Sequence, residues 1–163
     1  MANVKTRIMA HNRKILNNLK KEKDKKMCNC RRNNNCPVGG QCLQEKVVYR
    51  ATVETKEEVK SYVGSAGNTF KERFNGHKSS FNSKTKQNTT ALAKYVWTLK
   101  NSNTDYKLTW EILRKTRRKF NIRNGCELCV LEKIEIANAE KVTSLNKRNE
   151  LQSKCPHYKR LFF

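Results

Sequence analysis

Five side chains and one glycine of types suited to phosphodiester chemistry follow one another along this chain. In order they are Tyr49, Tyr62, Gly64, Arg73, His77 and Glu132. Hydrolysis of a phosphodiester requires a deprotonated nucleophile, stabilisation of the charge that develops at phosphorus, and a proton for the leaving oxygen. Tyrosine, arginine, histidine and carboxylate groups can together meet these needs, so the set predicts cleavage of nucleic acid.

Arg73 and His77 lie four residues apart and therefore share one face of a predicted helix. The arginine can pair with phosphate oxygens through its planar fork, and the histidine can reach the same phosphate or relay a proton. Each residue alone has an ordinary interpretation: strand core for Tyr49, a solvated helix face for the Arg-His pair, and a surface ion pair for Glu132. Their order in matching strand and helix contexts favours the catalytic interpretation.

The seven cysteines form two groups whose spacing suits metal binding. The first group is Cys28, Cys30, Cys36 and Cys42. The second group is Cys126, Cys129 and Cys155, with His157 as its fourth member. Four such ligands fit a tetrahedral structural zinc site, so the sequence predicts one or two zinc ions. Two alternatives stay open: ligands exchanged between the groups, and thiols buried as small hydrophobic side chains.

The charge of the chain predicts a polyanionic partner. Thirty-six Lys and Arg residues against 14 Asp and Glu give a formal net charge of +22. Such an excess costs self-repulsion, and DNA is the partner we expect to offset it. An anionic membrane surface is disfavoured because no segment reads as an amphipathic helix with a strong aromatic face, and no membrane-spanning run or signal peptide is recognisable.

One basic segment and one lysine are predicted to contact phosphates. They are Lys71, Arg114, Lys115, Arg117, Arg118, Lys119 and Arg123. The alternative for the segment is a solvated loop without a partner. Trp97 and Trp110 lie on apolar faces and are predicted to be core residues rather than platforms for base stacking.

Local patterns predict a β-hairpin followed by two helices. Residues 47–53 and 59–65 are rich in β-branched side chains and are joined by the charged turn 54–58. Thr69 and Glu72 form a capping-box pattern for a helix that ends near Phe81. Thr90 can cap a second helix, in which apolar side chains recur at helical spacing.

The remaining segments complete an α+β architecture. Residues 106–113 predict a third strand, 114–123 a basic loop, 126–140 a third helix, and a short fourth helix begins near Leu145. This order favours a small three-stranded, mainly antiparallel sheet flanked by helices. Residues 1–27 predict a basic arm or linker with a weak helical stripe, residues 28–45 a cysteine-rich zinc-binding segment, and residues 46–163 the main domain with its C-terminal Cys/His tail.

These motifs together resemble the GIY-YIG nuclease family, over about residues 46–152. They are Val47-Val48-Tyr49, Tyr62-Val63-Gly64, Arg73, His77, Glu132 and Asn146. The chain looks most similar to the endonuclease domain of Penelope-like retroelements, in which similar cysteine-rich segments accompany the nuclease. In the first triad Val47 and Val48 stand where the family has Gly and Ile, whereas the tyrosine is kept.

The resemblance implies a role for each hairpin residue. Tyr49 would act as general base on a water, Tyr62 would order that water or the phosphate, and Gly64 would let the backbone approach the scissile strand. A free tyrosine has a pKa of about 10, so nearby cations would have to lower the pKa of Tyr49. Lys71 and Arg73 are the candidates.

The resemblance also implies a catalytic metal and a function. Glu132 would be the sole protein ligand of Mg²⁺ or Mn²⁺, and Asn146, with Asn149 as the alternative, would orient the site. The implied activity is DNA nicking that leaves a 3′-hydroxyl, in the nucleus, with the reverse transcriptase of the same polyprotein as a further partner. The alternatives are a non-catalytic zinc-stabilised nucleic-acid-binding module and a cellular repair nuclease of the same fold.

Overall fold

The computed structural model describes residues 4–23, 27–31, 35–116, 126–147 and 155. The elements are α1 (Val4–Lys23), β1 (Glu45–Glu54), β2 (Val59–Thr69), α2 (Phe70–Asn82), a short 3-10 helix (Lys84–Lys86), α3 (Ala91–Asn101), β3 (Lys107–Lys115) and α4 (Glu127–Asn138). The predicted α+β class is confirmed, as is a three-stranded antiparallel sheet flanked by helices.

The strand order is β2-β1-β3, so β1 is central and pairs antiparallel with both neighbours. The first hairpin closes through a turn in which the Thr55 N–H donates to the Glu58 carbonyl at 2.9 Å. In this register Tyr49 lies opposite Gly64. The pairing of β1 with β2 thus places the segment 47–49 beside the segment 62–64.

A β-bulge lies beside Tyr49. On the β3 side, Val48 pairs with Arg114 and Tyr49 pairs with Ile112, which leaves Leu113 without a partner residue in β1. An extra residue in one strand increases the local twist and turns neighbouring side chains. The bulge therefore lies where it can turn the side chain of Tyr49.

The two faces of the sheet have different partners. On what we call the tyrosine face, side chains of β1 and β2 pack with residues of α2 and α3 such as Phe70 and Leu92. On the opposite valine face, Val48 and Val63 pack against Leu128 of α4. Because successive residues of a strand point to opposite sides, each helix layer packs against alternate residues of the same strands.

Both predicted helix caps are confirmed. The Thr69 hydroxyl accepts a hydrogen bond from the Glu72 N–H at 3.3 Å, and the Thr90 hydroxyl accepts one from the Ala93 N–H at 3.0 Å. These bonds satisfy N–H groups that have no partner within their own helix. α2 therefore begins directly where β2 ends.

One prediction about a loop was wrong, and one about a helix is not met in the residues that the structure describes. β3 continues through Lys115, so Arg114 and Lys115 lie on a strand rather than in a loop, because they pair with Val48 and Val47. The predicted helix near Leu145 is not present in the described residues up to 147. Instead the Leu145 N–H donates to the Ser61 carbonyl at 2.7 Å, and Ser144 bridges to the strand. β2 is an edge strand, and its open backbone groups compete successfully with helix formation.

The N-terminal arm forms the helix α1, whose described side chains are exposed. The sequence had indicated only a weak helical stripe there. None of the described helices is both long enough and apolar enough to cross a membrane.

Candidate active site

Tyr49 is the centre of a buried polar cluster on the tyrosine face. Its side chain is fully buried, and its hydroxyl oxygen lies 2.8 Å from the Nε2 atom of His77. The Nε atom of Arg73 donates to the same oxygen at 3.1 Å. We call this arrangement the Tyr49–Arg73–His77 triad. It joins the first strand to one face of α2, as the i, i+4 spacing predicted.

Gly64 is required by the packing of Tyr49. A Cβ atom at Gly64 would lie 2.5 Å from the Tyr49 hydroxyl oxygen and 3.0 Å from Cε1 of Tyr62. The first distance is too short for a carbon atom and the second is tight, so only glycine fits without displacing the Tyr49 ring. The space that we expected Gly64 to leave for a nucleic-acid strand is therefore filled by Tyr49.

Arg73 is held by both tyrosines. Burial of its head group by itself would lower the pKa of Arg73, but its interactions with Tyr49, and then with Tyr62, outweigh this and raise it. The arginine therefore stays charged. Part of its side chain is exposed, so this cation can meet a phosphate while its Nε atom remains on Tyr49.

The pKa of Tyr49 is raised rather than lowered. Burial is the largest cause, the charge and hydrogen bond of Arg73 act in the lowering direction, and the charge of Glu132 raises the pKa further. The net direction is opposite to our expectation because desolvation outweighs the arginine. Lys71, the other expected cation, instead donates from Nζ to the Oδ1 atom of Asn29 at 2.5 Å.

His77 is neutral at neutral pH. It is 3% exposed, and burial, followed by the charge of Arg73, lowers its pKa to about 3. A neutral imidazole can accept a proton at Nε2 or donate one from it, depending on the tautomer. Because the ring is buried and its Nε2 atom contacts the Tyr49 hydroxyl, the arrangement is better suited to proton relay than to direct contact with a phosphate.

An aromatic wall surrounds the triad. The ring of Trp110 lies 5.3 Å from His77 and 5.8 Å from Tyr49, and Phe70 lies 5.4 Å from Tyr49, between ring centroids. The sequence predicted Trp110 to be a core residue but gave it no part in the site. The usable signal was the alternation of residues 106–113, which predicts that Trp110 shares a sheet face with Tyr49 once β3 is paired with β1.

Glu132 on α4 is close enough to the site to act on it through its charge, and Asn146 is hydrogen-bonded to β2 beside it. Glu132 is half-buried on α4 and close enough to Tyr49 for its charge to raise the pKa of that tyrosine. The Asn146 Oδ1 atom accepts the Val63 N–H at 2.7 Å, and its Nδ2 atom donates to the Val63 carbonyl at 2.8 Å. Asn146 thus holds the strand backbone between Tyr62 and Gly64. The alternative, Asn149, lies outside the described residues.

The first cysteine group converges as predicted. The sulfur atoms of Cys28, Cys30, Cys36 and Cys42, which we call the four-cysteine cluster, all lie within 4.8 Å of one another. The Cys30–Cys42 and Cys28–Cys42 sulfur distances are 3.7 and 3.5 Å. Sulfurs about 2.3 Å from a tetrahedral zinc ion would be about 3.8 Å apart. The cluster could therefore hold a structural zinc ion.

The second group also converges. The sulfurs of Cys126, Cys129 and Cys155, the three-cysteine cluster, lie within 4.8 Å of one another, and those of Cys129 and Cys155 are 3.3 Å apart. This group too could hold structural zinc. The predicted fourth ligand, His157, lies outside the described residues. Cys126 is also the N-cap residue of α4, the helix that carries Glu132.

The predicted phosphate contacts are only partly described. Arg114 donates from Nε to Glu135 at 2.8 Å, which ties β3 to α4. Lys115 is exposed at the end of β3. The other members of the basic segment lie outside the described residues: Arg117, Arg118, Lys119 and Arg123.

No protein-family model, curated protein or solved structure matches this chain.

Proposed function

We propose that this chain is a metal-dependent DNA endonuclease of the GIY-YIG type, with structural zinc in its cysteine clusters. The observation that supports this most is the Tyr49–Arg73–His77 triad, because it joins a potential base, a phosphate-binding cation and a proton carrier at one oxygen atom. The net charge of +22 supports a polyanionic substrate. By resemblance, the activity belongs to a nuclear retroelement protein whose reverse transcriptase uses the new 3′-hydroxyl end.

The proposed reaction begins with ionised Tyr49. Its oxygen accepts the Arg73 Nε–H and, when His77 carries its proton on Nε2, a second hydrogen bond from the imidazole. Both donors stabilise the tyrosinate. Tyr49 then takes a proton from the attacking water, whose oxygen bonds to phosphorus while the bond to the 3′-oxygen breaks. The 3′-oxygen takes up a proton from solvent water, and Tyr49 returns its proton to solvent. Arg73 stabilises the charge on the phosphate oxygens.

Glu132 is suited to hold the divalent cation. Among the described residues it is the acidic side chain whose charge acts on Tyr49, and carboxylate oxygen is a ligand that Mg²⁺ and Mn²⁺ accept. Mg²⁺ or Mn²⁺ at this carboxylate would bind a phosphate oxygen and stabilise its negative charge. Neutralising the charge of Glu132 also removes one cause of the raised pKa of Tyr49, so the ionised tyrosine becomes more accessible.

The test is nicking of supercoiled plasmid with Mg²⁺ or Mn²⁺. The variant is Glu132→Gln, and the matched control is Glu127→Gln, which removes the same charge from an exposed position of α4. We expect the intact protein and the control to nick, and the Glu132 variant to lose roughly a hundredfold or more. Equal nicking by all three proteins would remove Glu132 from the site.

One observation favours a second function. Tyr49 is fully buried, so water reaches its hydroxyl only after a movement of the surrounding side chains. A zinc-stabilised nucleic-acid-binding module that does not cleave would need no such movement. Plasmid binding without nicking, with either metal and across neutral and alkaline pH, would support that module and contradict the nuclease.

A further inference from the structure

The four-cysteine cluster adjoins the first turn of α2, the helix that carries Arg73 and His77. We infer that a metal ion in this cluster fastens the N-terminus of α2 and thereby positions Arg73 and His77 against Tyr49. The ion is a zinc-class cation held by four thiolates. This inference goes beyond the proposed cleavage, since its test requires neither DNA nor activity.

Backbone groups around the cluster are arranged for thiolate ligands. The Cys30 N–H donates to the Cys28 sulfur at 3.4 Å. N–H groups of Val38, Gly40 and Cys42 donate to the Cys36 sulfur. Such donors to sulfur are the hydrogen bonds that orient ligands around a bound metal.

The turn that supplies these donors depends on two glycines. Gly39 and Gly40 have φ angles of +57° and +86°, which other residues rarely adopt. A left-handed turn lets the N–H groups of alternate residues, Val38, Gly40 and Cys42, point to one sulfur atom. The paired glycines between Cys36 and Cys42 are therefore explained by ligand geometry, in addition to chain reversal.

The cysteine segment caps α2 through its backbone. The Phe70 N–H donates to the Gln44 carbonyl and the Lys71 N–H donates to the Cys42 carbonyl, each at 2.8 Å. The first N–H groups of a helix have no partner within the helix, so these bonds are the attachment of its N-terminus. Cys42 is at once a ligand candidate, fully buried, and the acceptor for α2.

A side-chain bond makes a second attachment. Lys71 donates from Nζ to Oδ1 of Asn29, which lies between the ligand candidates Cys28 and Cys30. The helix start is therefore tied to two separate parts of the cluster. Arg73 follows Lys71 by two residues, so a shift of the first turn moves its guanidinium directly.

A metal ion would tie together a segment whose described positions otherwise have few backbone hydrogen bonds of their own. Between residues 27 and 44, the described positions contain no strand and no α-helix. Four ionised thiols within 4.8 Å would repel one another, and a tetrahedral cation removes that repulsion while fixing all four positions. Loss of the cation should therefore release the carbonyl groups of Cys42 and Gln44 from α2.

The test compares amide hydrogen exchange of the full chain as prepared with zinc, after chelation, and after zinc is restored. We expect chelation to speed exchange at Phe70, Lys71 and the following turn of α2 at least tenfold, and zinc to reverse it. In the part of the chain that the structure describes, the N-terminal hydrogen bonds of α3 go to Thr90 and not to the cysteine segment, so α3 serves as the internal control. The His77 ring resonances should shift in parallel, because the ring is bonded to Tyr49.

Two outcomes would overturn the inference: exchange in α2 that ignores chelation, and exchange that rises equally in α2 and α3. Variants sharpen the test. Cys28→Ser and the matched Cys129→Ser, in the three-cysteine cluster, should each lower the metal content, but only Cys28→Ser should loosen α2. The exchange comparison with and without zinc uses the unaltered chain, so its result holds even where a variant fails to fold. A chain that never nicks DNA yet shows metal-dependent protection of α2 would support this inference and contradict the nuclease.

Discussion

Tyr49 and Val48 are neighbours in one strand, both fully buried, yet they face different chemical surroundings. The tyrosine face buries a hydroxyl and an imidazole in contact with a guanidinium, whereas the valine face around Val48 packs apolar side chains of β2 and α4. Burying polar groups costs free energy unless each is hydrogen-bonded. The valine face carries such a group in the Glu135 carboxylate, which is paired with Arg114, whereas the tyrosine face buries two polar rings at one hydrogen-bonded centre.

The two faces also begin their helices differently. α4, on the valine face, has the cluster residue Cys126 as its own N-cap. α2, on the tyrosine face, receives its N-terminal hydrogen bonds from the carbonyls of a separate cysteine segment. The helix with Glu132 is thus joined to its cluster within the chain, and the helix with Arg73 through tertiary contacts. Loss of the metal ions should therefore loosen α2 more than α4.

The largest contrast should come from the two neighbours in β1. Tyr49→Phe removes the proposed base, and nicking should fall roughly 10²- to 10⁴-fold. Val48→Ala removes apolar volume on the valine face and should lower the free energy of unfolding by about 2 kcal/mol, with nicking per folded molecule unchanged. Plasmid nicking and urea denaturation measure the two effects. Equal loss of nicking in both variants would break the distinction between the faces.

Substitution of glycines should separate the crowded face from the exposed helix surface. Gly64→Ala places a Cβ 2.5 Å from the Tyr49 hydroxyl oxygen, and this overpacking should lower the free energy of unfolding by up to about 3 kcal/mol. The control is Gly76→Ala on α2, where an added Cβ would meet no side chain and no other element of the described chain within 4 Å. This change should stabilise the helix by roughly 0.5–1 kcal/mol. Denaturant unfolding of both variants checks the pair. Similar stabilities would contradict the packing of Tyr49 against Gly64.

The pH dependence of stability should trace to the tyrosine face. The pKa of His77 is lowered from 6.5 to about 3, so below pH 6.5 the unfolded chain binds a proton that the folded chain does not. Stability is therefore full above that pH and falls as pH drops toward 3, by at most about 1.4 kcal/mol per unit, or about 2 kcal/mol by about pH 5.

His77→Gln should remove this part of the pH dependence. The control His11→Gln changes a histidine exposed on α1 and should leave the slope as it is. The measurement is the free energy of unfolding at several pH values. A His77 variant that keeps the slope would place the titrating group elsewhere.

The smallest effect concerns the bond between Asn146 and the edge strand β2. Asn146→Ala leaves the Val63 N–H and carbonyl without their side-chain partner, which should cost about 1–2 kcal/mol. Nicking should fall too, because the backbone between Tyr62 and Gly64 loses its clamp. The exposed Asn75→Ala on α2 is the control and should be nearly neutral. Unfolding and nicking assays decide, and unaltered stability would mean that water replaces the amide without loss.

Local features of the fold could be predicted from the sequence. The hairpin, the Thr69 and Thr90 caps and the α+β order depend on side-chain periodicity and on residues within a few positions of one another. The end of β3 could not be placed, because the pairing of Arg114 with Val48 depends on a strand far away in sequence. The contact of Leu145 could not be placed for the same reason, since its N–H is bonded to Ser61 of β2 instead of starting a helix.

The sequence by itself determined which residue types are present, their spacing on each strand and helix, and the grouping of the cysteines. Only the tertiary structure decided that Tyr49 occupies the space of the missing Gly64 side chain, and that Asn146 binds the backbone of Val63. It also decided the raised pKa of Tyr49 and the lowered pKa of His77. Spacing along the chain is a local property, whereas desolvation depends on every element that packs around a side chain.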